Sequence, residues 1–174
     1  ILVTGATGFI GRRACELLQT KGLQVTATGR DKAKAQYLAK LGIEFIPVEL
    51  SSAKEVSSLS GHYDALVHCG GLSSPWGKAD EFSQANVVGT ENVVNFCHEN
   101  KVGKLIFISS SSVYFTGKDR FKIKEDDSLA HRPPSKYTAS KMAAEQVVQK
   151  SRLNSLILRP RGIFGPGDQA IVPR

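Results

Sequence analysis

Residues 1–11 read ILVTGATGFIG: an apolar β-branched run, glycines at positions 5, 8 and 11, and then the start of an amphipathic stretch. That order is the sequence form of a strand, a tight turn and a helix. Gly5 permits the turn, Gly8 lets the backbone approach a pyrophosphate, and Gly11 lets helix and strand pack closely, with the helix N-terminus facing the anion. A glycine triplet by itself is an ordinary turn. The strand before it and the helix after it favour a dinucleotide-binding loop, in which Thr7, Phe9 and Ile10 are also cofactor-contacting positions.

The same rhythm repeats outward from that loop. Strand candidates are ILVTG, QVTATG, EFIPVEL, ALVHCG, KLIFISS and SLILRP, and between them lie helical patterns at Gly11–Thr20, Asp31–Leu41, Ala53–Leu59, Ala79–Asn100 and Tyr137–Ser151. Strands alternating with helices predict an α/β fold, a Rossmann-type doubly wound parallel sheet with right-handed crossovers. Residues Phe115–Pro134 break the pattern. They are polar, charged and end in Pro-Pro, which predicts a long loop over the C-terminal ends of the strands.

Bulk properties narrow the function classes. The 174 residues suffice for one domain, and the composition, 41% hydrophobic and 22% charged, excludes a disordered chain. A formal charge of +7 suits an anionic partner, but the Lys and Arg residues are scattered, with no basic stripe interleaved with aromatics, so a phosphorylated small molecule is favoured over nucleic acid. Cys15, Cys69 and Cys97 have no metal-ligand spacing and read as reduced thiols of a cytoplasmic protein, with no metal site. No segment is apolar enough for a membrane span. The chain opens inside an apolar run and ends in GPGDQAIVPR, from which we expect residues 1–174 to be the cofactor-binding domain of a longer protein, with a C-terminal substrate portion absent.

The second strand candidate ends TATGRDK. An acidic side chain at this point takes the ribose hydroxyls of NAD, whereas here Gly29 is followed by Arg30, whose fork of donors matches a 2′-phosphate, with Arg12 placed to assist. NADP is therefore expected over NAD. Asp31, one step on, keeps NAD open, and Arg30 as a solvated loop charge is the plain alternative. Glu49 and Leu50, after the third strand, fall where an adenine would lie, Glu49 as an acceptor for its amino group.

YTASK sets Tyr137 and Lys141 at i and i+4 on one helix face. An ammonium beside a phenol favours its ionised form, which suits Tyr137 to give or take a proton. The motifs TGATGFIG, ANVVGT, SSSSVY, YTASK and LRPRGIFGPGD together resemble, in order and spacing, the extended short-chain dehydrogenase/reductase family, which includes nucleotide-sugar epimerases, dehydratases and 3β-hydroxysteroid dehydrogenases. The resemblance covers essentially the whole chain. It implies a nicotinamide cofactor, Tyr137 as general acid/base, and Lys141 as the group that tunes it and holds the nicotinamide ribose. It also implies Ser110, three residues before Val113, as the catalytic hydroxyl. Asn86 matches a site-ordering position grouped with these catalytic residues. Cys69, Gly70, Gly71 and Pro160 correspond to cofactor-lining positions, although HCGG replaces the commoner HxAA pattern. Ser111, Trp76 and Gly162 correspond to substrate-side positions. For Trp76 the alternative is core packing.

Within that family, dehydratases carry Asp-Glu directly after the catalytic hydroxyl. Ser111 and Ser112 stand there instead, which disfavours elimination. Gly162 replaces the Asn by which nucleotide-sugar epimerases contact a diphosphate, and GLSSPWG resembles the 3β-hydroxysteroid dehydrogenase-like branch. The expected activity is hydride transfer between a secondary alcohol and a ketone of a 3β-hydroxysteroid or 3-oxoacyl-like substrate. A nucleotide-sugar 4-epimerase with bound NAD and a non-catalytic NADP-sensing regulator are the alternatives. In similar proteins the helices containing residues 79–100 and Tyr137 pair into a dimer, which implies a homodimer here.

Overall fold

Every one of the six expected strands forms, and all run parallel. They are β1 (Leu2–Thr4), β2 (Thr26–Gly29), β3 (Glu44–Pro47), β4 (Ala65–His68), β5 (Lys104–Ile108) and β6 (Ser155–Leu158), in the order β3-β2-β1-β4-β5-β6. The computed structural model describes residues 1–74 and 76–168. The end of the expected GPGDQAIVPR loop, from residue 169 on, lies outside the described residues. The direction of winding reverses between β1 and β4, and at such a switch point a crevice opens beyond the carboxyl ends of the strands. Some strands are shorter than their apolar runs because residues at their carboxyl ends, such as Gly5 and Ser109–Ser110, turn away to line that crevice.

The helices are α1 (Phe9–Thr20), α2 (Lys32–Lys40), α3 (Ala53–Ser57), α4 (Ala79–Phe82), α5 (Gly89–Glu99) and α6 (Lys136–Lys150). Successive strand residues face opposite sides of the sheet, so neighbours such as Leu2 and Val3 enter different cores. Val3, Ala27, Cys15 and Leu38 pack under α1 and α2, while Leu2, Leu66, Phe107 and Phe96 pack under α5 and α6. Each fully buried Leu or Phe contributes roughly 1.5–3 kcal/mol of transfer free energy. Three helix starts have side-chain caps: Asp31 accepts from the Lys34 N–H at 3.0 Å, Ser52 from Glu55 at 3.3 Å and Ser135 from Thr138 at 3.1 Å.

Two local features depart from the sequence pattern. The single helix expected over Ala79–Asn100 is interrupted by a π-helical turn, Ser83–Val88, which carries Asn86 inward; the Asn86 carbonyl accepts the Thr90 hydroxyl at 2.6 Å. A short 3₁₀ turn, Ser111–Tyr114, follows β5. Residues 115–134 form the expected loop. It is tied down by Arg120, which donates to the carbonyls of Tyr114 and Ser128, each at 3.1 Å, and by the Tyr114 hydroxyl, which donates to the Glu125 carbonyl at 3.1 Å.

Candidate active site

The glycine loop is shaped by steric necessity. Gly5 has φ +65°, and a Cβ there would come within 2.6 Å of the Gly70 nitrogen; a Cβ on Gly11 would meet the Gly5 oxygen at 2.3 Å. Gly8 caps α1 with extended backbone, without a side-chain cap bond and with no acidic residue in the first helical turn. The first N–H groups of α1 are thus left to an anion from outside the chain. Across the loop, Leu50 packs so closely that a Cβ on Gly70 would lie 2.2 Å from it, and the Asn86 carbonyl oxygen leaves 2.7 Å for one on Gly71.

A cleft of about 920 Å³ opens over this loop. The whole stretch Gly5–Gly11 lines it, as do Cys69–Gly71, Asn86, Ser110, Tyr137, Lys141, Pro160 and Gly162, so most of the residues singled out in the sequence meet in one place. Ser109 lines it too; its hydroxyl is buried and has no hydrogen-bond partner among the described residues. A backbone cradle closed to any Cβ, an uncapped helix start and an unpartnered buried hydroxyl fit a pyrophosphate-linked dinucleotide.

Tyr137 and Lys141 project from the first two turns of α6. Lys141 is buried, donates to the Ile108 carbonyl at 2.6 Å and lies 4.3 Å from the centre of the Phe107 ring. Burial pulls its ammonium down to about 8, against the opposing pull of Glu145. Tyr137 meets Phe82 edge-on, with centroids 6.4 Å apart. The Ser110 hydroxyl accepts the Ser112 N–H at 3.2 Å as the cap of the 3₁₀ turn, which leaves its proton to donate. Asn86 is committed elsewhere. Its Oδ1 accepts the Leu72 N–H at 2.6 Å, and its Nδ2 donates to the Leu72 carbonyl at 3.1 Å and to Ser140 Oγ at 2.8 Å. Although grouped with the catalytic residues in the sequence, Asn86 acts in the structure as a brace between the β4 loop and α6.

Beneath the cleft His68 is wholly buried, its Nδ1 2.7 Å from the Thr4 hydroxyl and its Nε2 3.1 Å from the Thr90 hydroxyl. Burial, with Lys141 nearby, pulls the imidazole down to about 3, so it is neutral. Burial pushes the Cys69 thiol up to about 12. Nothing in the spacing of the chain signalled the roles of Thr4, His68 and Thr90. The pair Glu145–Arg159 was also missed, although Glu145 follows Lys141 by one helical turn.

Several expected residues lie beside the cleft rather than in its lining. The side chain of Arg30 is 71% exposed and pairs with Glu49 at 3.4 Å. Glu49 also accepts from the Ser51 N–H and hydroxyl, at 3.2 and 3.1 Å. Both of its carboxylate oxygens thus carry contacts within the chain. Leu50 contributes indirectly, through its contact with Gly70. Ser111 lines a neighbouring cleft of about 980 Å³ that shares Ser110, Pro160 and Gly162 with the first. Trp76 is 84% exposed, so it is neither a core residue nor a wall of the cleft. The Ser74 hydroxyl accepts the Trp76 N–H at 3.2 Å and donates to the Trp76 carbonyl at 2.6 Å.

Strand order, glycine cradle and the Tyr137–Lys141 face together define a dinucleotide-binding domain of the Rossmann type. Residues 1–174 match the NAD dependent epimerase/dehydratase family, and the chain belongs to it. It is 39% identical to the uncharacterised protein YbjS of Escherichia coli (strain K12), over all of this chain and 53% of that protein. It is 36% identical to the 2-alkyl-3-oxoalkanoate reductase of Stenotrophomonas maltophilia (strain K279a), over all of this chain and 54% of the reductase. Against the decarboxylating sterol-4-alpha-carboxylate 3-dehydrogenase of Homo sapiens the figures are 32% identity, 98% of this chain and 46% of the dehydrogenase. The chain thus spans about half the length of these relatives. Among solved structures, the UDP-glucuronic acid 4-epimerase of Bacillus cereus in complex with NAD aligns over 96% of this chain and 58% of its own, with 27% identity and a TM-score of 0.78. The NAD in that neighbour weighs against the NADP preference expected from Arg30. Among the described residues no group of side chains could hold a metal ion, and no helix is long and apolar enough to cross a membrane.

Proposed function

We propose that this chain is the cofactor-binding, proton-transferring part of an oxidoreductase that interconverts a secondary alcohol and a ketone. The observation that carries this is the convergence of Ser110, Tyr137 and Lys141 on the cleft whose other end is the glycine cradle. A bound nicotinamide supplies or accepts the hydride. In this reading Ser110 donates a hydrogen bond to the substrate oxygen, and Tyr137 passes a proton to or from that oxygen. Lys141, held by the Ile108 carbonyl, keeps positive charge beside the phenol and the nicotinamide ribose.

The substrate we favour is a β-keto or β-hydroxy carboxylate, which includes a 3β-hydroxysteroid bearing a carboxylate on the neighbouring carbon. The names of the two enzymatic relatives each describe redox chemistry at a carbon next to one bearing a carboxylate. NADP remains our preferred cofactor on a specific observation: Asp31, the acid nearest the end of β2, is engaged as the cap of α2, whereas the Arg30 guanidinium stands largely in solvent, free to turn from Glu49 to a 2′-phosphate. NAD is the second reading, supported by the NAD-bound neighbour. A nucleotide-sugar epimerase is favoured by the same neighbour but lacks support at Gly162. A homodimer through α5 and α6 belongs to this proposal, and light scattering that gives a monomer mass would remove it.

The full-length protein should oxidise or reduce a β-keto/β-hydroxy acid pair with Tyr137→Phe inactive while still binding cofactor. An active Tyr137→Phe enzyme refutes the mechanism. Product from UDP-sugars without net cofactor turnover would favour the epimerase. Arg30→Ser should raise KM for NADPH about tenfold with little change for NADH, the loss of one charge-assisted contact; equal changes would favour NAD.

A further inference from the structure

One helical turn beyond Lys141, Glu145 is 1% exposed and receives the Arg159 guanidinium as a fork, with Nε to Oε1 at 2.9 Å and Nη2 to Oε2 at 2.8 Å. Arg159 leaves the end of β6, and its Nη1 donates to the Glu125 carbonyl at 3.0 Å and to the Tyr114 hydroxyl. Its guanidinium lies 4.9 Å from the centre of the Tyr114 ring. The carboxylate is therefore held from behind by a cation that is itself fixed to the 3₁₀ turn and the 115–134 loop.

The Lys141 ammonium is less well provided for. Its contacts are a neutral carbonyl, Ile108, and the face of a neutral ring, Phe107. A buried ammonium needs an anion to stay charged. The titratable and charged groups around it are Tyr137 and Glu145 on its own helix and His68 and Cys69 from β4 and the turn after it, while β5 offers only Phe107 and Ile108. Burial keeps His68 and Cys69 neutral, which makes Glu145 the one carboxylate of the set.

We propose that Glu145 and Arg159 are positioning residues for the charge on Lys141: Glu145 supplies the buried negative field that holds the ammonium in its charged form, and Arg159 limits how much of that field reaches it by gripping both carboxylate oxygens. The proposal rests on the reading of Lys141 as the partner of Tyr137 and the cofactor. It makes the pair a setting rather than a mere strut, because the two partners act on Lys141 with opposite sign. Removal of Glu145 takes the anion away from both cations. Loosening of Arg159 frees one carboxylate oxygen toward Lys141.

The test is a pH titration of Lys141 by NMR in the full-length protein carrying 13C-labelled lysine, with Lys141→Met to identify its signal. Glu145→Gln should lower the midpoint by about one pH unit, the size of shift a close opposite charge produces. Arg159→Lys, which keeps a cation but not the fork, should raise it. The alkaline limb of the kcat profile should move the same way in each variant. Unmoved midpoints, or midpoints that shift in one direction in both variants as general loosening of the fold would cause, overturn the proposal. If Glu145→Gln does not fold, Glu145→Asp withdraws the charge while keeping the ion pair and should lower the midpoint by a smaller amount; no shift there overturns the proposal as well. Midpoints that move in opposite directions while the kcat profile stays fixed would uphold the proposal and refute the assignment of Lys141 to the chemistry.

Discussion

Acidification should destabilise this domain in part through His68. In the folded chain its imidazole sits at about 3 because it is wholly buried between the Thr4 and Thr90 hydroxyls near Lys141; the ordinary value is 6.5. Between those limits the unfolded chain binds more protons than the folded one, so stability rises with pH across the window and is lost as pH falls through it. At pH 8 neither state is protonated there. At pH 5 the unfolded imidazole is protonated and the folded one is not, and 1.5 units at about 1.4 kcal/mol each give a loss of about 2 kcal/mol. Urea unfolding followed by circular dichroism is the suitable assay, because the single tryptophan, Trp76, is already 84% exposed and is a poor reporter. The comparison protein is His68→Gln. It should be less stable than the parent at pH 8 yet lose about 2 kcal/mol less on transfer to pH 5. All other titrating groups are common to both proteins and cancel. Equal losses in the two proteins would show that His68 is not held neutral by its burial.

Two further substitutions probe the cleft. Gly11→Ala drives a Cβ to 2.3 Å from the Gly5 oxygen, a backbone atom with no room to yield; it should cost roughly 1–3 kcal/mol and abolish cofactor retention, read as melting temperature and cofactor fluorescence. A protein of unchanged Tm would refute the close packing of β1 and α1. Ser109→Ala removes a buried hydroxyl with no partner among the described residues, and should stabilise the cofactor-free protein by about 1 kcal/mol while weakening cofactor binding about fivefold. Destabilisation of the cofactor-free protein would mean that the hydroxyl is already satisfied.

The parts of this molecule that the sequence specified locally were readable from it. Six strands follow from β-branched runs separated by amphipathic stretches, and three helices begin at capping side chains, Asp31, Ser52 and Ser135, that the structure shows accepting from their first turns. Gly5–Gly11, Tyr137 and Lys141 stood out by their spacing along one turn or one helix face, and Ser110 only through the motif it resembles; the structure gathers all of them on one cleft. The pairing of Arg30 with Glu49 was not legible for the opposite reason. Each was assigned from its distance along the chain, and neither position reveals that the two side chains bind each other. The π turn at Ser83–Val88 was invisible because an apolar period cannot distinguish one extra residue in a turn; what holds Asn86 there is a loop 14 residues earlier and a serine 54 residues later. The alternative of core packing for Trp76 fails, since its side chain is 84% exposed.

The contact between Gly5 and the backbone of Gly70 also sets a timetable. Leu2 pairs with Leu66 and Val3 with Val67, so β1 acquires its β4 neighbour only after some 60 intervening residues have been looped out. The glycine turn is therefore made before the strand and loop it closes against and acquires its working shape only after them. A nascent chain that ends before residue 70 carries the complete glycine sequence but lacks the wall against which the turn closes. Cofactor capture is thereby postponed until the central strands have joined, and the dinucleotide can stabilise only chains that have already settled their topology.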